Sequence, residues 1–220
     1  MTIAPAPITI TPVVDDSPAT VDQYAQILVD GFGPGHVSQV INGGRDDVVL
    51  ARMKMRVYEG VKDLEVYSAT AEGDERPGAV LIVAKPGLLW GETPNAENEY
   101  SKASKELLAD LPQFAAASKR IAEGFHELEE RAWGPDTTKP FYYITYLSTT
   151  PAFQGKGLGS ALVEKITARA KAEGKHAVLI TQNLENVAWY AKRGFRDVAK
   201  TTFPINGVDL TFWALSTEEA

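Results

Sequence analysis

The 220-residue chain contains no cysteine. That absence excludes a disulfide framework and a cysteine nucleophile, and with the nucleophile any ping-pong chemistry through a protein thiolate. Basic residues are also few, with 22 Lys and Arg against 29 Asp and Glu, a formal charge of −7 and a pI near 5.1. Without a basic stripe or an arginine-rich arm no nucleic-acid partner is expected, and the overall field favours a neutral or cationic ligand. No apolar window approaches the length of a membrane span, and Met1 to Thr11 alternates Ile, Ala, Pro and Thr without a positively charged start. No membrane partner is expected, and the plain reading is a cytoplasmic protein. Neither an internal repeat nor a linker is visible, and a hydrophobic content of 44% suffices for one well-filled core, so a single domain over 1–220 is expected.

The elements that are present alternate between the two periods of secondary structure. Ile8, Ile10 and Val13 read as a first strand. Asp15, Asp16 and Ser17-Pro18 open a helix with Val21, Tyr24, Ile27 and Leu28 on its apolar face, stopping near Gly31. Phe32 to His36 is turn chemistry, and a second helix is expected over Asp46 to Val57. Glu65 to Ala71 and Ala79 to Ala84 read as paired strands, the second a continuous apolar run suited to the centre of a sheet. Between 86 and 140 the chain digresses into an insertion with a helical pattern from about Asn98 to Trp133, broken near Leu111-Pro112. Strands at Phe141 to Thr149 and Ala177 to Ile180 follow, then a helix over Glu185 to Lys192 and a terminal hairpin turning at Asn206-Gly207.

The most informative stretch is Gln154-Gly155-Lys156-Gly157-Leu158-Gly159-Ser160, which runs from an apolar strand into an amphipathic helix with Leu158, Leu162 and Ile166 on one face. Glycines place no Cβ between ligand and backbone, so successive N–H groups at a helix N-terminus converge on an anion, here a phosphate or pyrophosphate. The alternating G-x-G-x-G spacing fits neither the dinucleotide fingerprint nor the Walker loop. Downstream stands Asn186-Val187-Ala188-Trp189-Tyr190-Ala191-Lys192-Arg193-Gly194-Phe195.

These two motifs, in this order, resemble the signatures of the GNAT superfamily of N-acetyltransferases: Gln/Arg-x-x-Gly-x-Gly/Ala, matched by Gln154, Gly157 and Gly159, and Asn-x-x-(Phe/Leu)-Tyr-x-x-x-Gly-Phe. Within the superfamily, Phe141-Tyr142-Tyr143-Ile144 leading to Pro151 and the glycine run looks most like the puromycin N-acetyltransferase-like branch. The resemblance implies a mixed α/β fold, with a mostly antiparallel sheet that is splayed at the coenzyme site and flanked by helices. It implies acetyl-CoA as co-substrate, no metal, and a small-molecule amine as acceptor, an antibiotic or other xenobiotic among the expected classes, in a monomer or homodimer. A peptide or protein N-terminal acetyltransferase and a non-catalytic acyl-CoA sensor are the alternatives.

The same resemblance assigns the diphosphate to the backbone of Gln154, Gly155, Lys156, Gly157, Leu158, Gly159 and Ser160, with the Ser160 hydroxyl and the Lys156 charge as supplements. It assigns backbone contacts with the pantetheine arm to Leu147 and Thr149, the Leu147 N–H doubling as oxyanion donor, and a side-chain contact to Asn186, for which Asn183 is an alternative. Tyr190 is expected to donate a proton to the departing thiolate. No one general base stands out among His126, His36, Tyr142, Tyr146, Glu92 and Glu127, and the resemblance implies ordered water as the alternative to a base. Trp90, Phe32 and Tyr142 are candidates for an aromatic pocket floor.

Overall fold

The computed structural model describes residues 7–33, 36–88, 92–109, 111–135 and 140–218, with the backbone alone for 36–38. Trp90 and the Pro34-Gly35 turn lie outside the described residues, as does the side chain of His36. Seven strands form one sheet: β1 (Ile8–Pro12), β2 (Glu65–Ala71), β3 (Ala79–Ala84), β4 (Tyr142–Thr149), β5 (Ala177–Thr181), β6 (Arg196–Ile205) and β7 (Val208–Ser216). Their spatial order is β1-β2-β3-β4-β5-β7-β6. Every neighbouring pair is antiparallel except β4 and β5, which run parallel. This is the mixed, mostly antiparallel sheet that the motifs implied.

Seven helices flank it: α1 (Pro18–Phe32), α2 (His36–Asn42), α3 (Asp46–Asp63), α4 (Glu99–Leu108), α5 (Pro112–Trp133), α6 (Leu158–Ala172) and α7 (Leu184–Ala191). One face of the sheet packs α6 through Leu158, Leu162, Val163 and Ile166, all essentially inaccessible to solvent. The other face packs α1 and α3 through Val21, Leu28 and Val57. A third cluster joins α5 to the β6–β7 hairpin through Leu128, Phe203 and Phe212. β3 sits between the first two layers with all six residues buried, which is why its sequence alternates nothing and is apolar throughout.

Local chemistry explains most element ends. Ser17 caps α1 by accepting from the Thr20 N–H, and Pro18 takes the first turn, where its missing donor is not needed. Pro112 separates α4 from α5 as the sequence predicts. The β6–β7 turn places Asn206 and Gly207 at φ of 50° and 79°, the left-handed pair that a two-residue hairpin requires.

Two expectations need correction. The short α2 was not foreseen, and α3 runs on to Asp63 instead of ending at Val57. Gly60 reads as a helix breaker in sequence. In the fold it is a close-packing position, because a Cβ there would stand 2.9 Å from Val66 Cγ2 and 3.0 Å from Ile82 Cγ2.

Candidate active site

β4 reaches its end at Thr149, makes one 3-10 turn over Pro151–Phe153, and enters α6 through the glycine run. Gly157 occupies the N-cap position at φ 84°, a left-handed conformation that favours glycine, so the chain swings into the helix with its amides facing outward. None of the N–H groups from Gly155 to Ser160 donates to a protein acceptor among the described residues. Gly159 lies against β4 and α7, where a Cβ would meet Thr149 Oγ1 at 3.3 Å and the Trp189 ring at 3.9 Å. The result is a shallow nest of free donors on the first turn of a fifteen-residue helix.

Beside this nest the sheet opens. β4 and β5 pair only at Tyr142↔Ala177 and Tyr143↔Val178, so from Ile144 onward one edge of β4 has no neighbour. Which backbone groups line that edge is decided by a bulge. Ile82 of β3 pairs with Tyr146 and Val83 with Ile144, leaving Thr145 as an extra residue on β4. Before the bulge, the Tyr142 N–H points toward β5 and donates to His176 O; after it, the Thr150 N–H points the opposite way, to Gly78 O. An unbroken strand keeps residues two apart pointing alike. The extra residue reverses that parity, so the amides of Leu147 and Thr149 face the opening.

The opening leads into a cleft of about 1570 Å³ between α1, α3, α4, α5, α7 and the ends of β4, β5 and β7. Leu147, Tyr146, Asn186 and Tyr190 line it. Tyr190 is 8% exposed and held edge-on by Trp189 at 4.9 Å and Phe195 at 5.4 Å between ring centroids. Burial pushes its phenol well above the ordinary tyrosine range, so at neutral pH it is a permanent hydrogen-bond donor.

Residues 105–195 match the model of the acetyltransferase (GNAT) family, a span that includes both motifs. The match covers less than half of the chain. No curated protein matches this chain by sequence. Among solved structures it is similar to a histone acetyltransferase HPA2 and related acetyltransferase from Corynebacterium glutamicum, at TM-score 0.62 and 16% identity over 97% of both chains. A GCN5-related N-acetyltransferase from Rhodopseudomonas palustris aligns at 0.52 and 15% over 100% of this chain and 99% of the other. The ribosomal-protein-S18-alanine N-acetyltransferase of Escherichia coli aligns at 0.52 and 12% over 95% and 92%. Likeness at this identity is a likeness of fold.

The remaining candidates sort by position. Gln154 folds back so that Nε2 donates to Thr149 O at 3.3 Å, and the Leu158 side chain is buried in the core, leaving its backbone alone at the nest. Lys156 is drawn away: its ammonium lies 3.0 Å from Asp74 Oδ2 and over the Phe153 ring. Asn183 caps α7 by accepting from the Asn186 N–H at 2.7 Å, while the Asn186 side chain donates to Thr181 Oγ1 at 3.1 Å. The aromatic floor is corrected in part. Phe32 and Tyr146 meet edge to face beside the cleft, but Tyr142 turns to the α6 face, where its hydroxyl donates to Glu173 at 2.7 Å. Tyr142 therefore serves neither as floor nor as base. His126 is on the cleft rim with its side chain 71% exposed and 3.4 Å from Glu130, and Glu127 faces Arg120 at 3.8 Å.

Three residues at the site were missed. Arg193 lays its guanidinium over the Trp189 ring and donates to Ser160 Oγ, placing a cation against the nest. Glu129 lines the cleft and accepts from the Tyr143 hydroxyl at 2.9 Å. Arg52 enters the cleft from α3. Arg193 sits inside the second motif at a position the motif leaves open, and the other two carry no local pattern. No group of three or more potential metal ligands occurs among the described residues, and no helix among them is long and apolar enough to cross a membrane.

Proposed function

We propose that this acetyltransferase uses acetyl-CoA to acetylate the amine of a small molecule by direct attack, as one catalytic domain over 1–220 whose 86–140 insertion roofs the acceptor cleft. The observation that carries this reading is the continuity of three features: the free amides of Gly155 to Ser160, the open edge of β4 at Leu147 and Thr149, and Tyr190 at the mouth of the cleft. The first suits the diphosphate, and the Arg193 guanidinium beside Ser160 adds charge that the side-chain reading gave to Lys156. The second suits an amide-bearing arm that pairs like an added strand. Asn186 stands where its side-chain amide meets that arm.

In this arrangement the Leu147 N–H is the donor available to the oxygen of the attacked carbonyl. Tyr190 donates a hydrogen bond to the departing sulfur. Its raised pKa makes full proton transfer to a thiolate, whose thiol has a pKa near 8.5, unfavourable, so its part is to stabilise charge while water delivers the proton. The neutral fraction of the amine attacks and gives its second proton to water in the cleft. Walls from α3, α4 and α5 support a covered pocket, and with it a small acceptor instead of a chain terminus. The reading goes with a cytoplasmic setting, because the acyl donor is an intracellular metabolite.

The test is free-thiol release from acetyl-CoA against a panel of amines, with CoA binding followed by calorimetry. Amine-dependent thiol release supports the reading. CoA binding without thiol release from any amine would replace it with a sensor.

A further inference from the structure

Nine arginines occupy the chain, and those that are partly buried fall into two groups. Arg56, Arg120 and Arg169 lie within ion-pair distance of carboxylates, Glu59 for the first, Glu127 for the second, Glu65 and Glu173 for the third. Arg52 and Arg193 are partly buried with no carboxylate within 4.0 Å among the described residues. Arg193 is accounted for by the phosphate nest. Arg52 stands on the opposite side of the opening, in the acceptor cleft.

The Arg52 guanidinium offers five N–H donors, of which one Nη2 group reaches a protein acceptor, Ser118 Oγ on α5 at 2.5 Å. The Ser118 proton is engaged elsewhere, since the hydroxyl donates to Phe114 O at 2.8 Å. Burial and the neighbouring Arg56 both push the Arg52 pKa down from its usual value, while proximity to the Tyr146 phenol acts the other way. Placing an uncompensated cation in a partly dehydrated cleft is unfavourable unless an anion arrives to meet it. Arg56 faces the fully buried Glu59, whereas Arg52 faces no carboxylate within ion-pair distance among the described residues, and one guanidinium matches a carboxylate better than a phosphate dianion. Tyr146, next to Arg52, directly precedes Leu147 on β4, the strand edge where the acyl carbonyl is read to sit. Anion and amine are thus held about one side chain apart.

We propose that the acceptor is an amino-carboxylate whose carboxylate is bound by Arg52. This rests on the acetyltransferase reading and refines its acceptor. The carboxylate takes the two free edges of the guanidinium, and the amine nitrogen faces the acyl carbon beside Leu147. The N–C bond forms as the C–S bond breaks. One amine proton leaves to water, the sulfur takes one up, and the products are an N-acetylated carboxylate and free CoA thiol. The acidity of the whole chain, which favours cationic ligands, acts at long range and is screened, whereas the Arg52 contact acts at hydrogen-bond distance.

The experiment compares thiol release from a set of amino-carboxylates, each alongside its carboxamide and its decarboxylated amine, for the wild type, Arg52→Met, Arg52→Lys and Ser118→Ala. At least one carboxylate is expected to exceed its carboxamide by about tenfold or more in kcat/KM for the wild type. Arg52→Met should remove that preference mainly through KM, Arg52→Lys should restore part of it, and Ser118→Ala, which removes the helix tie but keeps the charge, should retain it. CoA binding should be unchanged in all three. Carboxamides or plain amines used as well as the carboxylates by the wild type would overturn the inference and leave the acetyltransferase reading standing. So would equal losses on both kinds of amine in Arg52→Met. Absence of thiol release with every amine would remove both.

Discussion

The two flanks of the β4–β5 opening are built from different materials. On the coenzyme flank, the contact groups are backbone amides from one continuous stretch, Gly155 to Ser160, arranged by glycine conformation and a helix end. On the acceptor flank they are side chains, Arg52, Tyr146, Glu129 and Phe32, brought from α3, β4, α5 and α1. A backbone site serves a ligand that does not change, because its geometry survives most substitutions other than those of its glycines. A side-chain site is the part of a fold that can be rewritten one residue at a time. The contrast makes distinct predictions for changes on either flank and at the strand between them.

The largest effect is expected from Gly157→Glu. It forces a residue with a Cβ to φ 84° and sets a carboxylate in the proposed phosphate nest, and CoA affinity measured by calorimetry should fall by ~100-fold or more. Tyr190→Phe tests the boundary between the flanks. It should leave CoA affinity near wild type and lower kcat by roughly 10- to 100-fold, and an equal loss in binding would place the phenol in the nest instead of at the sulfur.

Gly31→Ala probes the strand itself. A Cβ there would stand 1.9 Å from Ser148 Oγ and 2.8 Å from Thr149 O, where α1 presses on the end of β4. Denaturant unfolding should show a loss of about 1–3 kcal/mol, with turnover reduced because the open edge shifts.

A fourth prediction concerns pH. Burial raises the phenols of Tyr143 and Tyr190, and Tyr142, hydrogen-bonded to Glu173, is pushed up to about 12. In the unfolded chain these groups ionise near 10.0. The folded protein then holds protons that the unfolded one has lost, so stability is fully present below that pH and declines as pH rises from 10.0 toward about 12. Tyrosinate absorbance should show Tyr142, Tyr143 and Tyr190 titrating late, with Tyr67 and Tyr100 also raised, and the urea midpoint should drop over the same window.

The smallest effect is expected from Lys156→Ala. With the ammonium at Asp74, CoA affinity should change by less than about threefold, and a larger loss would mean the lysine leaves Asp74 for the phosphates.

The element order was legible because it rests on local rules. β2 and β3 begin and end where their sequence patterns do, and Pro112 divides the insertion helices as expected. The glycine turn proposed as the coenzyme flank was legible as a turn for the same reason, since its geometric demands fall on consecutive residues and glycine is their visible trace. Tyr142 was misplaced because a strand residue declares that it is buried without declaring on which face. α3 was ended at Val57, short of Asp63, because Gly60 packs against Val66 and Ile82 from other elements, which no local pattern reveals.

What the sequence determined by itself is therefore the strand–loop–helix that we read as the phosphate site and the helix that carries Tyr190, both encoded within short spans. Tertiary structure alone decided the rest. The bulge at Thr145 reverses which amides of β4 face the opening, and only the pairing with β3 creates it. Whether an arginine is neutralised depends on carboxylates supplied by distant segments, and none reaches Arg52 among the described residues. Charge compensation and strand register are properties of neighbours, and neighbours across a sheet or a cleft exist only once the chain has folded.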